Sequence, residues 1–440
     1  MVFTLIAIIL VVYSWIDFKN SVIFLCIFEL FLNQNINLIN VPGVPLLLMS
    51  TALNIYFTIY FFLVQRKKFV SSIDRFPLKI AFILIGFSIL LSCLFSLSGF
   101  TIAITRGIQD FFSPYLFVWM VWYVIKTPKD FKKLITLLTI SFSFFVIYAF
   151  YEKATGERPV ITYEQALNVG TDQSRVINWS YEDDERTVGG RVQSVFIHPI
   201  GAGMNFGLCF VIFTYLFIYY RRYIILSPYI VVWLLSSLLL CVFFSNSRGP
   251  LIFLGIAVLG LVKFKSRKFY LITILGIILL IFLYSYIAPY MDNIFSFANA
   301  KAKERVGGSD VFMRQGQFAA AYQLFQQNPL FGNGVKSLSY ISNSNLVKDL
   351  LGFESVWIPL MVERGLIGLL SYIFLIFSMF KSAKGKTKGF TIYLTLAYVI
   401  VSSVTSTPGF VDYLFFIILF FSIRLGKGAF IKKRLMRDNI

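Results

Sequence analysis

The sequence predicts an all-α integral membrane protein, a polytopic bundle of about 12–14 transmembrane helices with two large helical or irregular outer loops. Three observations carry that expectation. The 440-residue chain is 58% hydrophobic and only 14% charged, with mean hydropathy +0.77, values outside the range of soluble domains. Long apolar runs recur along it, many near the roughly 20 residues a helix needs to cross a hydrocarbon core. They are uninterrupted, without the alternation of a barrel strand. Finally, lysine and arginine cluster in every second loop, as the positive-inside rule expects of cytoplasmic segments.

The spans read, in order, 2–16, 21–32, 42–64, 76–98, 111–125, 134–151, 195–220, 224–244, 250–262, 269–290, 356–380, 390–405 and 410–423. The first run lacks the basic start and small-residue cleavage site of a signal peptide. It and the second are short enough to form one crossing, which would move the N-terminus from outside to inside. Basic clusters follow the runs that close at 64, 125, 220, 262, 380 and 423. The C-terminus is therefore expected in the cytoplasm. The net charge of +19 follows these loops, so it reports topology and not a nucleic-acid partner. Two loops of the opposite set are long, 152–193 and 291–353, and this set favours arginine where the cytoplasmic clusters favour lysine. Both long loops are expected outside, as elaborations of a single membrane domain, 1–440. Cys26, Cys93, Cys209 and Cys241 all fall in apolar runs, leaving the outer loops no disulfide framework and no thiolate metal site.

Within 291–353, residues 309–327 read as an amphipathic helix. Ser309 is placed to cap it, Asn328 and Pro329 to stop it, and Val311, Phe318, Tyr322 and Phe325 to form its apolar stripe. Arg314 falls on that stripe, three residues after Val311 and four before Phe318. A guanidinium there must be paired or must bind an anion, and arginine suits bidentate capture of phosphate. Arg248 sits in the short turn SNSRG, 245–249. Ser247 is placed to cap the helix that Pro250 opens, so free amides and a positive dipole end would lie beside the guanidinium; a snorkelling arginine is the plainer alternative. Arg191 precedes the segment holding His198, the chain's one histidine, which reads as a hydrogen-bonded helix-entry residue before it reads as a catalyst. Glu354 opens a span at the lip of the membrane, where a carboxylate is suited to general-base work. Glu363, about 13 Å deeper at 1.5 Å per residue, reads as mainly structural beside Arg364. The acidic run 181–186 is explained by an exposed loop as well as by a metal site.

Four blocks in this order resemble the O-antigen polymerase and O-antigen ligase superfamily of bacterial polytopic glycosyltransferases. They are RVQSVFIHP (191–199), SNSRG (245–249), Arg314 followed by NPLFGNG (328–334), and Glu354 followed by ERGLIG (363–368). The resemblance spans 191–368. It implies a donor oligosaccharide linked through pyrophosphate to a polyprenol, an acceptor glycan, and a metal-independent, inverting transfer without a cofactor at the outer face of the cytoplasmic membrane. Arg191, Arg248 and Arg314 would hold the diphosphate, Glu354 would be the base, and Glu363 and His198 are secondary candidates. A chain-length regulator and a flippase are partners in such systems, besides the bilayer itself. Ligases of the superfamily usually carry histidine where Glu354 stands, so the resemblance leans towards repeat-unit polymerase, with ligase as the alternative. A lipid-linked glycan flippase is the main reading of another class, but few polar residues line the spans and no internal repeat is evident.

Overall fold

The computed structural model describes residues 2–32, 36–39, 47–64, 76–160, 162–163, 191–196, 198–262, 311–343, 353–405 and 412–426. The expected span 269–290, the acidic run 181–186 and the Ser309 cap lie outside them. Apart from one two-stranded antiparallel pair, Asn37–Ile39 with Leu47–Leu48, the described elements are helical. They form a multi-pass membrane protein. Four helical stretches are long and apolar enough to cross a bilayer: Pro128–Thr155, Pro199–Tyr219, Trp357–Ser382 and Gly385–Val404. Shorter apolar helices accompany them.

In chain order the helices are α1 (Val2–Ile16), α2 (Phe18–Phe31), α3 (Met49–Val64), α4 (Lys79–Leu94), α5 (Phe100–Phe111), α6 (Phe117–Val124), α7 (Pro128–Thr155), α8 (Pro199–Tyr219), α9 (Pro228–Phe244), α10 (Arg248–Leu259), α11 (Val311–Gln327), α12 (Ser337–Asn343), α13 (Trp357–Ser382), α14 (Lys388–Val404) and α15 (Asp412–Gly426). Local chemistry sets several starts. Thr127 and Asp130 form a capping box ahead of α7, with Pro128 in its first turn. Ser227 caps α9 before Pro228. Two features depart from the sequence reading. The span expected at 42–64 becomes helical only at Met49, because Leu47–Leu48 pairs as a strand. Residues 100–111, expected as a connection, form α5, which passes into α6 through the π-helical turn Phe112–Leu116 around Pro114.

Helices α8, α9, α10 and α14 pack as one group, and α13 packs on α4 and α11. Large apolar side chains point outwards at helical spacing, as Ile140, Phe144 and Ile147 do on α7 and Leu366, Leu370, Ile373 and Phe377 do on α13. Such stripes are what lipid covers.

Helix α13 is broken. Gly365 sits at φ 60°, ψ −155° within it, and the loop 328–334 inserts into the gap. Asn333 N–H donates to Val362 O (2.7 Å), Gly334 N–H to Glu363 O (3.1 Å), Leu366 N–H to Pro329 O (2.8 Å) and Ile367 N–H to Leu330 O (3.3 Å). Backbone groups freed by the break are thus satisfied again, as burial in an apolar bundle requires. Ser92 of α4 adds its hydroxyl to Glu363 O at 2.5 Å. The NPLFGNG and ERGLIG blocks are therefore the two halves of one joint.

Candidate active site

Arg191 is held from behind. Its neighbours Gln193 and Ser194 donate their N–H groups to the two carboxylate oxygens of Glu152, at the end of α7, at 3.1 and 2.7 Å. Arg158 pairs with Glu152 (2.9 Å) and donates to Arg191 O (2.7 Å). This buried lock fixes the backbone so that the Arg191 side chain reaches the α9–α10 turn. There it donates from Nη2 to Ser247 Oγ at 2.6 Å and from Nε to Ser245 O at 3.4 Å. Ser247 stands at the N-cap position of α10, but its side chain makes no cap hydrogen bond; its hydroxyl accepts from Arg191 and donates to Ser245 O (2.9 Å). The expected serine cap is thus replaced by an arginine contact. The helix N-terminus, with Arg248 as its first residue, is left with the partial positive charge that attracts anions.

His198 caps α8, its Nδ1 accepting from Ile200 N–H at 3.0 Å. Burial, and then the Arg191 charge, hold the imidazole down from 6.5 to about 4. The ring is neutral near pH 7, and the cap bond assigns its proton to Nε2. In that arrangement the cap bond occupies the Nδ1 lone pair.

Arg314 and Glu354 meet directly, with Arg314 Nη2 2.6 Å from Glu354 Oε2. The pair is semi-exposed, its side chains retaining 35% and 33% of their accessible surface. Arg314 Nη2 also reaches Val404 O at 3.4 Å, where the negative end of α14 favours a cation. Its buried Nε has no hydrogen-bond acceptor among the described residues. The Glu354 backbone is pinned by Gln317 Oε1, which accepts its N–H at 3.1 Å, and two residues on by Val356 N–H donating to Ser402 O at 2.9 Å.

The face of α11 that does this is not the aromatic stripe. Phe318 and Tyr322 are exposed, whereas Gln317, Ala320, Ala321 and Leu324 are buried, because small residues let α11 approach α13 closely. Arg314 belongs to this second stripe, three residues before Gln317. Gln317 escaped the sequence reading; its spacing from Arg314 was the available signal.

Glu363 lies apart from this pair. Its Oε1 accepts from Leu338 N–H at 3.3 Å, so the carboxylate caps α12 from across the joint. Arg364 is 3.7 Å from Asp110, which also pairs with Arg106 at 3.0 Å.

One packing contact joins the remaining candidates. A Cβ on Gly249 would sit 3.4 Å from Thr405 and 4.0 Å from both Ile200 and Val401. The α10 N-terminus therefore abuts the α14 C-terminus and the α8 N-terminus. Arg191, His198, Arg248, Arg314 and Glu354 consequently gather at one end of the bundle, although they come from four separate stretches of sequence. Among the described residues, no group of three or more His, Cys, Asp or Glu side chains is placed to hold a metal ion.

Residues 230–373 match the family model Wzy_C, described as O-antigen ligase. The chain carries an O-antigen ligase-type domain. The match is consistent with the resemblance to the O-antigen polymerase and ligase superfamily. The Wzy_C segment contains Arg248, Arg314, Glu354 and Glu363, and it runs from α9 through the α13 joint; Arg191 and His198 are contributed from upstream of it. Comparison with curated proteins gives no match.

Proposed function

We propose that this protein transfers a glycan from a polyprenyl-diphosphate donor to an acceptor hydroxyl at the outer face of the cytoplasmic membrane. The observation that carries the reading is the convergence of Arg191, Arg248, Arg314 and Glu354 at one bundle end, within or beside the Wzy_C segment. The acceptor oxygen attacks the anomeric carbon, the bond from that carbon to the diphosphate breaks with inversion, and Glu354 takes the hydroxyl proton. Arg248, the α10 amides and Arg314 meet the charge that develops on the departing diphosphate, while Arg191 holds the turn that presents them. Cationic stabilisation by guanidiniums and helix amides makes a metal unnecessary in this scheme.

Two acceptors fit. The description of the matched family favours a ligase, which moves a finished glycan once onto a lipid core or another acceptor. Glu354, standing where ligases usually carry histidine, favours a repeat-unit polymerase. Incubating the purified protein with lipid-linked repeat units separates them. A ladder of products means polymerase, a single transfer to an added core acceptor means ligase, and no consumption of donor in either reaction overturns both.

A further inference from the structure

We infer that Glu354 and the donor's diphosphate compete for Arg314, so that donor arrival itself releases the carboxylate to act as base. The inference rests on the glycan-transfer reading above and adds an order of events to it. A carboxylate oxygen engaged 2.6 Å from a guanidinium is occupied by that contact and is not presented to an acceptor hydroxyl. In the same pairing, an arginine meant for diphosphate is already partly neutralised. Both roles become available only if the pair opens.

The geometry favours opening by the incoming anion. The contact is single, one Nη2 to one Oε2, and does not use the bidentate fork that makes Arg–carboxylate pairs strong. Arg314 Nε, buried and without an acceptor among the described residues, leaves donor capacity that a diphosphate can satisfy. The pair is about one-third exposed, so solvent already screens it and holds it loosely.

What stays fixed matters as much. Gln317 and Ser402 grip the backbone on either side of Ser355, so the carboxylate can swing away by side-chain rotation while its anchor remains in place. Gln317 is accordingly a positioning residue, holding Glu354 where its carboxylate alternates between Arg314 and the acceptor hydroxyl. Without donor the base is masked, which suppresses transfer to water.

The test uses the full chain in nanodiscs and inorganic pyrophosphate as the probe, with binding measured calorimetrically at fixed salt. Glu354→Gln is expected to bind pyrophosphate more tightly than the parent, by about two- to fivefold, and Arg314→Gln more weakly. Glu354→Ser, which also removes the competing charge, is expected to shift in the same direction as Glu354→Gln and guards against an artefact of one substitution. Gln317→Leu should leave pyrophosphate affinity near the parent's while lowering kcat in the lipid-linked transfer assay. If the parent binds and Arg314→Gln weakens binding, but both Glu354 variants bind no tighter, the competition is overturned and the diphosphate reading stands. If neither the parent nor any variant binds pyrophosphate, the diphosphate reading falls and takes the competition with it.

Discussion

Asn333 donates its backbone N–H to the Val362 carbonyl at 2.7 Å, placing a loop residue inside a membrane helix. Two glycines make this approach feasible. Gly332 has φ +72°, and a Cβ there would lie 2.5 Å from Arg364 N; one on Gly365, at φ +60°, would lie 2.6 Å from Gly332 N. Neither neighbour can yield, because both are backbone. Gly332→Ala and Gly365→Ala are each expected to lower the detergent melting temperature and folded yield, at a cost of about 1–3 kcal/mol from backbone strain alone. Gly255→Ala is the control, since nothing lies within 4 Å of its added methyl. Parent-like melting of both joint variants would remove the joint from the stability argument.

Arg248 and Arg314 are expected to resist conservative replacement. Lysine keeps the charge and loses the planar fork, so Arg248→Lys and Arg314→Lys should fold normally yet bind pyrophosphate about tenfold more weakly or worse. Arg248→Lys should be the milder, because the α10 amides remain. Parent-like affinity in both variants would take diphosphate binding away from these two residues.

Glu354→Gln is expected to retain the donor and lose turnover. Glutamine can still accept a hydrogen bond from Arg314 but cannot take the acceptor's proton, and general-base catalysis typically contributes about 10²–10⁴-fold. Pre-steady-state transfer with bound donor measures this step directly. His198→Asn should keep most activity, since asparagine also caps helices. A normal Glu354→Gln rate beside an inactive, folded and donor-binding His198→Asn would hand the base role to histidine.

Much of the helical layout was legible because its signals are local. The apolar runs locate these helices, while the starts expected at 134, 195 and 224 fall at Pro128, Pro199 and Pro228, where Thr127, His198 and Ser227 cap them. The break at Gly365 was not, because apolar periodicity continues through it and only a segment some thirty residues upstream completes the joint. The buried face of α11 was misjudged for a related reason. Hydrophobic patterning expects Phe318 and Tyr322 inwards, whereas close helix approach selects Ala320 and Ala321. In the site itself, residue types and order pointed to Arg191, Arg248, Arg314 and Glu354 as candidates. That Arg314 and Glu354 pair with each other is a long-range fact that spacing could not supply.

Cysteine labelling in intact cells tests the proposed orientation. The native cysteines are all buried and should stay unreactive. With an impermeant maleimide, Gln326→Cys at the exposed end of α11 is expected to react and Lys384→Cys to be protected until the cells are opened. The reverse pattern would place the arginine-rich end in the cytoplasm and abolish an outward-facing reaction.

His198 gives the protein a pH dependence whose sign follows from its environment. Burial and Arg191 hold its pKa at about 4, below the ordinary 6.5. The unfolded chain therefore binds more protons than the folded one between those values, and stability rises with pH across that interval. The neutral, capping ring is fully compatible with folding above pH 6.5, and stability drains away as pH falls from there towards 4. The difference amounts to about 3 kcal/mol if no other group compensates. Melting temperatures of the parent in detergent should thus decline from pH 7 to pH 4.5, and His198→Asn, which caps α8 without titrating, should flatten part of that decline. An identical slope in both proteins would mean that His198 is solvated and titrates normally, which would leave histidine available as the base.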